Sequence, residues 1–379
     1  MTSKRTMARA FSLVAGLALV VSACTSGGGG AGGSGGAAAT IPGVPQSLID
    51  AAKGEGNLTT IALPHSWCDY GDLLSQYSSK FGIKINELNP KGGSKDEITA
   101  LEANKTNKGP AAPDVVDVGL AYGPQGKTAG DFQNYKVAKW DTIPASVKDP
   151  DGAWYGDYFG VLSFEVNTAK VKNVPADWAD LLKPEYKGQV ALAGDPTVSN
   201  QAMSGVWAAA LANGGSLDDA TPGLAFFKQL NDAGNFVPII AETANVASGD
   251  AAIRIAWTYN ALADRDSLKG NPPITVVVPK SGRFGGVYVQ AISAYAPHPN
   301  AAKLWMEYLY SDEGQLAWLK GYCNPIRYDD MVAKKTVDTA AQAKLPDTSG
   351  ALLPTLDQIT KATDTVAKGW PTTVNVVVK

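Results

Sequence analysis

The chain is predicted to be an α/β protein of two lobes, on three observations. Between residues 58 and 118 apolar, β-branched runs alternate with helical periodicity in the order strand, helix, strand, helix, strand, the pattern of a parallel sheet covered by helices. The length of 379 residues exceeds what one hydrophobic core usually organises. Strand-like runs at 274–278 and 286–292 read as a return of the chain to the part it left near residue 160.

The first residues are set apart from that body. Lys4, Arg5 and Arg9 precede an apolar run, 11–21, too short to span a bilayer as a mature helix, so 1–23 reads as an export signal. Val21, Ser22, Ala23 and Cys24 resemble the lipobox of bacterial lipoproteins, which would make Cys24 the lipid-bearing first residue after cleavage. Two or more acyl chains of the palmitate type suffice for stable anchoring. Residues 24–41 are then the lipidated cysteine and a glycine-rich linker that behaves as a flexible coil. Gly32, Gly33, Ser34, Gly35 and Gly36 formally match a nucleophile elbow, but a glycine linker lacks the strand and helix that the elbow needs.

Composition narrows the function. The formal charge is −3, and loss of the leader removes three positive charges more, so no basic footprint for nucleic acid is present. Hydrophobic residues at 45% and charged residues at 18% suit a globular body, with the lipid as its membrane contact. After Cys24, the remaining cysteines are Cys68 and Cys323. In an oxidising compartment a disulfide between them is favoured over two separate buried thiols.

In order, 41–53 reads as a lead-in helix and 58–63 as a buried strand stopped by Pro64. Helical spacing of Leu73, Leu74, Tyr77 and Phe81 follows, then a strand at 83–87, a helix at 95–104 and a strand at 114–118. The aromatic cluster 154–160 feeds a strand at 161–167 and reads as a crossing between lobes. A strand at 189–193 ends in a polar turn, where Ser199 or Asn200 can cap a helix over 201–212. Helices at 222–231 and 242–249, a strand at 251–257 and the return through 274–279 complete the middle of the chain. Two helices, 299–310 and 312–320, come next, and beyond Arg327 a helix near 354–368 precedes a tail expected to be exposed.

Ligands of open α/β sheets gather beyond the carboxyl ends of the strands. That rule singles out Ser66 and Trp67 after the first strand and Tyr122 after the third. It adds Tyr158 in the crossing, Ser199 and Asn200 at a helix start suited to an anion, and Trp257, Tyr259 and Tyr288 at later strands. The aromatics would stack or make cation–π contacts, and the polar groups would hydrogen-bond.

Residues 296–315, with Asn324, Pro325, Ile326 and Arg327, resemble the extracellular solute-binding proteins of ABC importers, in the group that includes iron, polyamine, thiamine and phosphonate binders. Pro184, Glu185, Tyr186, Lys187 and Gly188 ahead of a strand, Asp195 with Pro196, and the lipoprotein leader support the likeness. The resemblance implies a two-lobed periplasmic-binding-protein-like fold of type II, with two crossing segments forming a hinge. Lobe 1 would comprise 42–160 and 275–330, lobe 2 161–274, and 331–379 a C-terminal helical extension and tail. It also implies a small-molecule solute, an ABC permease and ATPase complex as partners, and a monomer lipid-anchored on the extracytoplasmic face of the cell membrane. No cofactor and no resident metal are expected.

Ferric binders of this group resemble one another in paired adjacent tyrosines, whereas Tyr259 stands alone here. Polyamine binders place carboxylates beside cleft aromatics; Tyr259 and Asn260 replace the usual pattern, although Asp69, Asp117, Asp157 or Asp195 could substitute. A small polar organic solute with an anionic group at Ser199 and Asn200 fits about as well. A hydrolase would need an activated nucleophile beside His65 or His298, and no motif supplies one. A surface lipoprotein for sensing or adhesion that kept the bilobed fold is the remaining alternative.

Overall fold

The structure, a computed structural model, describes residues 39–379. The expected signal peptide, Cys24 and all but the end of the expected linker therefore lie outside the described residues.

The chain runs α1 (Gln46–Glu55), β1 (Asn57–Ile61), α2 (Tyr70–Phe81), β2 (Lys84–Leu88), α3 (Ser94–Ala103), β3 (Val115–Gly119), α4 (Tyr122–Ala129), β4 (Phe132–Gln133) and β5 (Tyr155–Asn167). Then come β6 (Val190–Leu192), α5 (Asn200–Ala212), α6 (Thr221–Asp232), β7 (Phe236–Ile240), α7 (Thr243–Ser248), β8 (Ile253–Trp257), α8 (Thr258–Ser267) and β9 (Ile274–Val277). The last part holds β10 (Gly285–Ser293), α9 (Pro299–Leu309), α10 (Asp312–Lys320), β11 (Asn324–Pro325), α11 (Tyr328–Lys334), α12 (Thr339–Gln342) and α13 (Leu356–Gly369).

Two groups of strands meet at β5. Its first half, Tyr155 to Val161, pairs antiparallel with β10, which in turn pairs antiparallel with β3 and β4. Its second half, Leu162 to Val166, pairs with β8, and β8 continues into the parallel strands β6 and β7. The parallel pair β1 and β2 adjoins the first group, where the Asp114 amide donates to the Thr59 carbonyl at 2.8 Å. One strand of 13 residues thus belongs to both lobes. Gly160 sits at its changeover with Tyr259 packed over it, so that a Cβ there would run into the ring. β9 pairs with the far half of β5, and the chain then crosses back into β10.

The C-terminal segment crosses as well. Gly285 donates its amide to the Leu352 carbonyl at 3.0 Å, and the Leu352 amide donates to Arg283 at 2.9 Å, beside the second crossing. α13 then packs on α5 and α6 of the second lobe. The tail, expected to be exposed, is instead inserted there. Trp370, Val374 and Val378 are buried, and the Trp370 ring stands 5.5 Å from Phe227 and 5.9 Å from Phe236. Their spacing of four residues is the signal, broken by Pro371, that reads as an anchoring face.

Cys68 and Cys323 are bonded, with Cα atoms 5.4 Å apart and 255 residues between them in sequence. The bond ties the loop after β1 to the turn after α10. In that loop Ala62, Cys68 and Asp69 hold left-handed φ values of 55°, 48° and 63°. Non-glycine residues adopt them only where the surroundings over-determine the backbone, as here through the disulfide and the Gly71 amide to His65 carbonyl bond of 3.1 Å.

Candidate functional site

A cavity of about 650 Å³ opens between the two lobes. Four strand-end loops bound it, as the rule for open α/β sheets requires. The first lobe contributes Ser66 and Trp67 after β1, the segment from Lys91 to Glu97 that leads from the loop after β2 into the first turn of α3, Asp117 of β3 and Tyr288 of β10. The second lobe contributes Ala193 to Asp195 and Val198 to Gln201 before and within α5, Ile240 to Thr243 before α7, and Arg254, Asn260 and Asp264.

The floor is a polar and aromatic relay. The Trp67 indole N–H donates to the Tyr158 hydroxyl at 2.5 Å, and that hydroxyl donates to Asp117 Oδ2 at 2.7 Å. The Tyr70 hydroxyl donates to the same oxygen at 2.8 Å. Gln290 donates to the Tyr70 hydroxyl at 2.7 Å and to Asp157 Oδ2 at 3.0 Å. The Asp117 amide donates to Glu97 Oε2 at 2.8 Å. Tyr158 stacks on Tyr288 with centroids 5.6 Å apart, and Trp67 lies 5.1 Å from Tyr259 and 5.4 Å from Tyr288. A half-buried Trp67 is therefore aimed by a hydrogen-bond chain that ends on a buried carboxylate.

Burial governs the ionisation of that floor. It pushes Asp117 up from 3.8 to about 7, against the lowering effect of the tyrosine hydroxyls. Burial and then the neighbouring Asp117 charge hold Asp157 well above the usual carboxylate range, and burial and then Asp117 do the same to Glu97.

The second-lobe wall is better compensated. Arg254 donates from Nε to Glu165 at 2.8 Å and also pairs with Asp264, which accepts from Thr243 at 2.8 Å. Gln201 Oε1 accepts from the Trp257 amide at 2.8 Å and from Asn260 at 3.0 Å, fixing the turn from β8 into α8. Ser199 caps α5 by accepting from the Ala202 amide. Residues of the first turns of α3 and α5 line the cavity from opposite lobes.

The lobes touch across the cavity. Lys91 of the first contacts both carboxylate oxygens of Glu242 of the second at 3.1 Å. A Cβ on Gly119 would come within 2.8 Å of Asn200, so the absent side chain permits the approach.

Of the residues singled out by sequence, Ser66, Trp67, Ser199, Asn200 and Tyr288 border the cavity. Tyr158, Trp257 and Tyr259 are fully buried behind it, in the layer that supports Trp67 and Tyr288. Tyr122 is half-buried at the start of α4 and does not border it. The sequence reading passed over Lys91 to Glu97, Arg254 and Gln201, and offered Asp117 and Asp195 only as substitute carboxylates; both border the cavity. Gly92 and Gly93 between a strand and a helix were a signal of the same kind as the loops that were chosen.

His65 is exposed and contacts Glu87 at 2.7 Å, and His298 contacts Asp114 at 2.8 Å, both outside the cavity. Among the described residues no cluster of three or more His, Cys, Asp or Glu is arranged to hold a metal ion. Nor is any helix among them long and apolar enough to cross a membrane.

Comparison with known proteins agrees with this geometry. An uncharacterised protein of Haemophilus influenzae (strain ATCC 51907 / DSM 11121 / KW20 / Rd) is 29% identical over 277 residues, 67% of this chain and 75% of the relative. Iron uptake protein A1 of Synechocystis sp. (strain ATCC 27184 / PCC 6803 / Kazusa) is 26% identical over 255 residues, 64% of this chain and 68% of the relative. The structure of the periplasmic binding protein AfuA from Actinobacillus pleuropneumoniae, with exogenous fructose-6-phosphate bound, matches with a TM-score of 0.65 at 21% identity, covering 84% of this chain and 98% of that one. At that identity the likeness is one of two-lobed fold. A family model for bacterial extracellular solute-binding proteins matches residues 113–360, well over half of the sequence, and this chain belongs to that family.

Proposed function

We propose that the protein captures a small polar organic solute in the interlobe cavity and delivers it to the permease and ATPase of an ABC importer. The observation that carries this reading is the cavity itself, walled by strand-end loops of two lobes and floored by Trp67 and Tyr288. Its volume falls in the range of small-molecule sites. The crossings at β5, at 278–284 and at 335–353 supply the hinge, and their few residues absorb the backbone rotation as the lobes part. Lobe 1 extends over 42–160 and 285–330 and lobe 2 over 161–277, because β9 pairs with the second-lobe half of β5 and moves the expected boundary at 275 beyond that strand, with α13 and the tail added to the second. Lipidated Cys24 tethers the body near its membrane partner, with the mature protein a monomer on the extracytoplasmic face.

Thermal unfolding against a broad metabolite collection tests the reading. A cognate solute at 100 times its dissociation constant should add about 2.7 kcal/mol. Trp67→Ala should abolish that gain while leaving the ligand-free protein folded. Silence across the whole collection would remove solute capture as the function. Mass analysis of the membrane-extracted protein, expected to show acyl chains on Cys24, tests the tether.

A further inference from the structure

We infer that the bond between Cys68 and Cys323 is a positioning element of the solute site: it holds Trp67 in the cavity floor, so that the protein binds its solute well only with the bond in place. This rests on the solute-capture reading above and adds to it a pair of residues that do not themselves border the cavity.

Trp67 precedes Cys68 directly, and it is held at two points. Its indole N–H donates to the Tyr158 hydroxyl at 2.5 Å, and its backbone is fastened next door by the bond to Cys323. Both points lead to one platform. β11, which begins at the residue after Cys323, pairs with β5 through Asn324 opposite Phe159 and Pro325 opposite Tyr158. The strand that receives the indole and the turn that receives the cysteine are therefore joined to each other.

That turn is fixed independently of the bond. The Cys323 side chain is fully buried, and its amide donates to the Trp318 carbonyl at 2.9 Å. The Tyr322 hydroxyl donates to Asp266 of α8, with the Arg265 guanidinium 5.9 Å from the ring, so the second lobe grips the turn as well. Gly321 packs on the Trp67 loop: a Cβ there would come within 2.6 Å of the Cys68 carbonyl oxygen and of the Asp69 Cβ.

The loop, by contrast, has reason to move once untied. From Pro64 to Asp69 it is neither helix nor strand, and its consecutive residues Cys68 and Asp69 both hold left-handed backbone. Non-glycine residues leave that conformation unless the surroundings enforce it. Inside the loop the Trp67 and Tyr70 amides make turn bonds to the Pro64 and Trp67 carbonyls, both at 2.9 Å, which fold the loop but do not attach it to the rest of the lobe. Trp67 is half-buried, so its ring can leave the floor without opening the core. A site that is competent for about a tenth of the time binds about tenfold more weakly.

Fluorine NMR of the mature protein labelled with 5-fluorotryptophan tests this, the Trp67 and Trp207 signals being assigned by Trp67→Phe and Trp207→Phe. Cys68→Ala combined with Cys323→Ala should shift or broaden the Trp67 signal and leave in place that of Trp207, which is buried in α5 and serves as the folding control. Parent and double variant are then titrated well below their unfolding midpoints with putrescine, thiamine, methylphosphonate, fructose 6-phosphate and any compound that the metabolite screen yields. Affinity should be weaker by about tenfold or more in the double variant. A merely structural bond would lower the unfolding midpoint alone, so an unmoved Trp67 signal or an unchanged affinity overturns the inference and leaves solute capture standing. Should the double variant not fold, Gly321→Ala, which keeps the bond and presses a Cβ on the Cys68 backbone, decides by the same two measurements. Silence of the parent towards every compound overturns both.

Discussion

Ligand-free protein moved from pH 5 to pH 8 should lose stability, against the common expectation that carboxylates favour neutral conditions. Asp117 is pushed up from 3.8 to about 7, and Glu165 from 4.5 to about 7, in both cases chiefly by burial. Between the unfolded and folded values the native state holds protons that the unfolded chain has released, so stability falls as pH rises through that window. Each such group contributes about 1.4 kcal/mol per pH unit. For Asp117, which begins to lose its proton near neutrality, the loss from pH 5 to 8 is about 3 kcal/mol. Asp69, pushed up to about 6, acts with the same sign. Carboxylates held low by lysine, such as Asp151 and Asp180, act oppositely, but their stabilisation is lost only as pH falls below the ordinary carboxylate range. Urea unfolding at one-unit intervals measures the slope. Asp117→Asn, which removes the buried charge and keeps the shape, should be flatter in pH and more stable than the parent at pH 8. A parent whose stability is constant or rising from pH 5 to 8, or an Asp117→Asn variant with the parent's slope, would refute the reasoning.

Reducing the bond between Cys68 and Cys323, or replacing both by Ala, should destabilise by about 3 to 5 kcal/mol, because the loop it closes is long; an unchanged urea midpoint would count against that. Gly119→Val should hold the lobes apart at Asn200 and weaken solute binding by tenfold or more while the thermal midpoint of the ligand-free protein changes little. Small-angle scattering with saturating solute should then show an expanded molecule, and a compact one would show that the contact yields. Trp257→Ala should cost about 3 to 5 kcal/mol of stability, because its ring is fully buried against Gly286 and Tyr259. Trp67→Ala should cost much less stability and far more affinity, and the reverse ranking would exchange their roles.

The two lobes were legible because buried strands and amphipathic helices carry distinct periodicities, and the alternation from 58 to 118 could be read from side-chain chemistry alone. The helix at 312–320 was predicted with the bounds observed. Which aromatics face the ligand was not legible. Tyr158, Tyr259 and Tyr288 are equally aromatic and equally near strand ends, and only the three-dimensional stacking decides that Tyr288 borders the cavity while the others support it. Asp117 was named only as one of four acids able to stand beside cleft aromatics, because an acid inside a valine-rich strand looks like an alternation residue. Its meaning depends on Glu97, 20 positions earlier, and Asp157, on another strand. α4 and α8 were missed because each follows its strand almost without a loop, leaving no turn residues to mark the change. The tail was missed because Pro371 masks its periodicity.

The burial of Trp370, Val374 and Val378 gives the order of residues in the chain a practical meaning. Synthesis runs from the amino end, so the surface over Phe227 and Phe236 is covered only once Trp370 and the residues after it have been made. A product shortened by proteolysis or early termination would keep every residue bordering the cavity yet present an uncovered aromatic face. A fusion joined after Lys379 must leave that residue able to reach the Pro238 carbonyl, to which its amide donates at 3.4 Å.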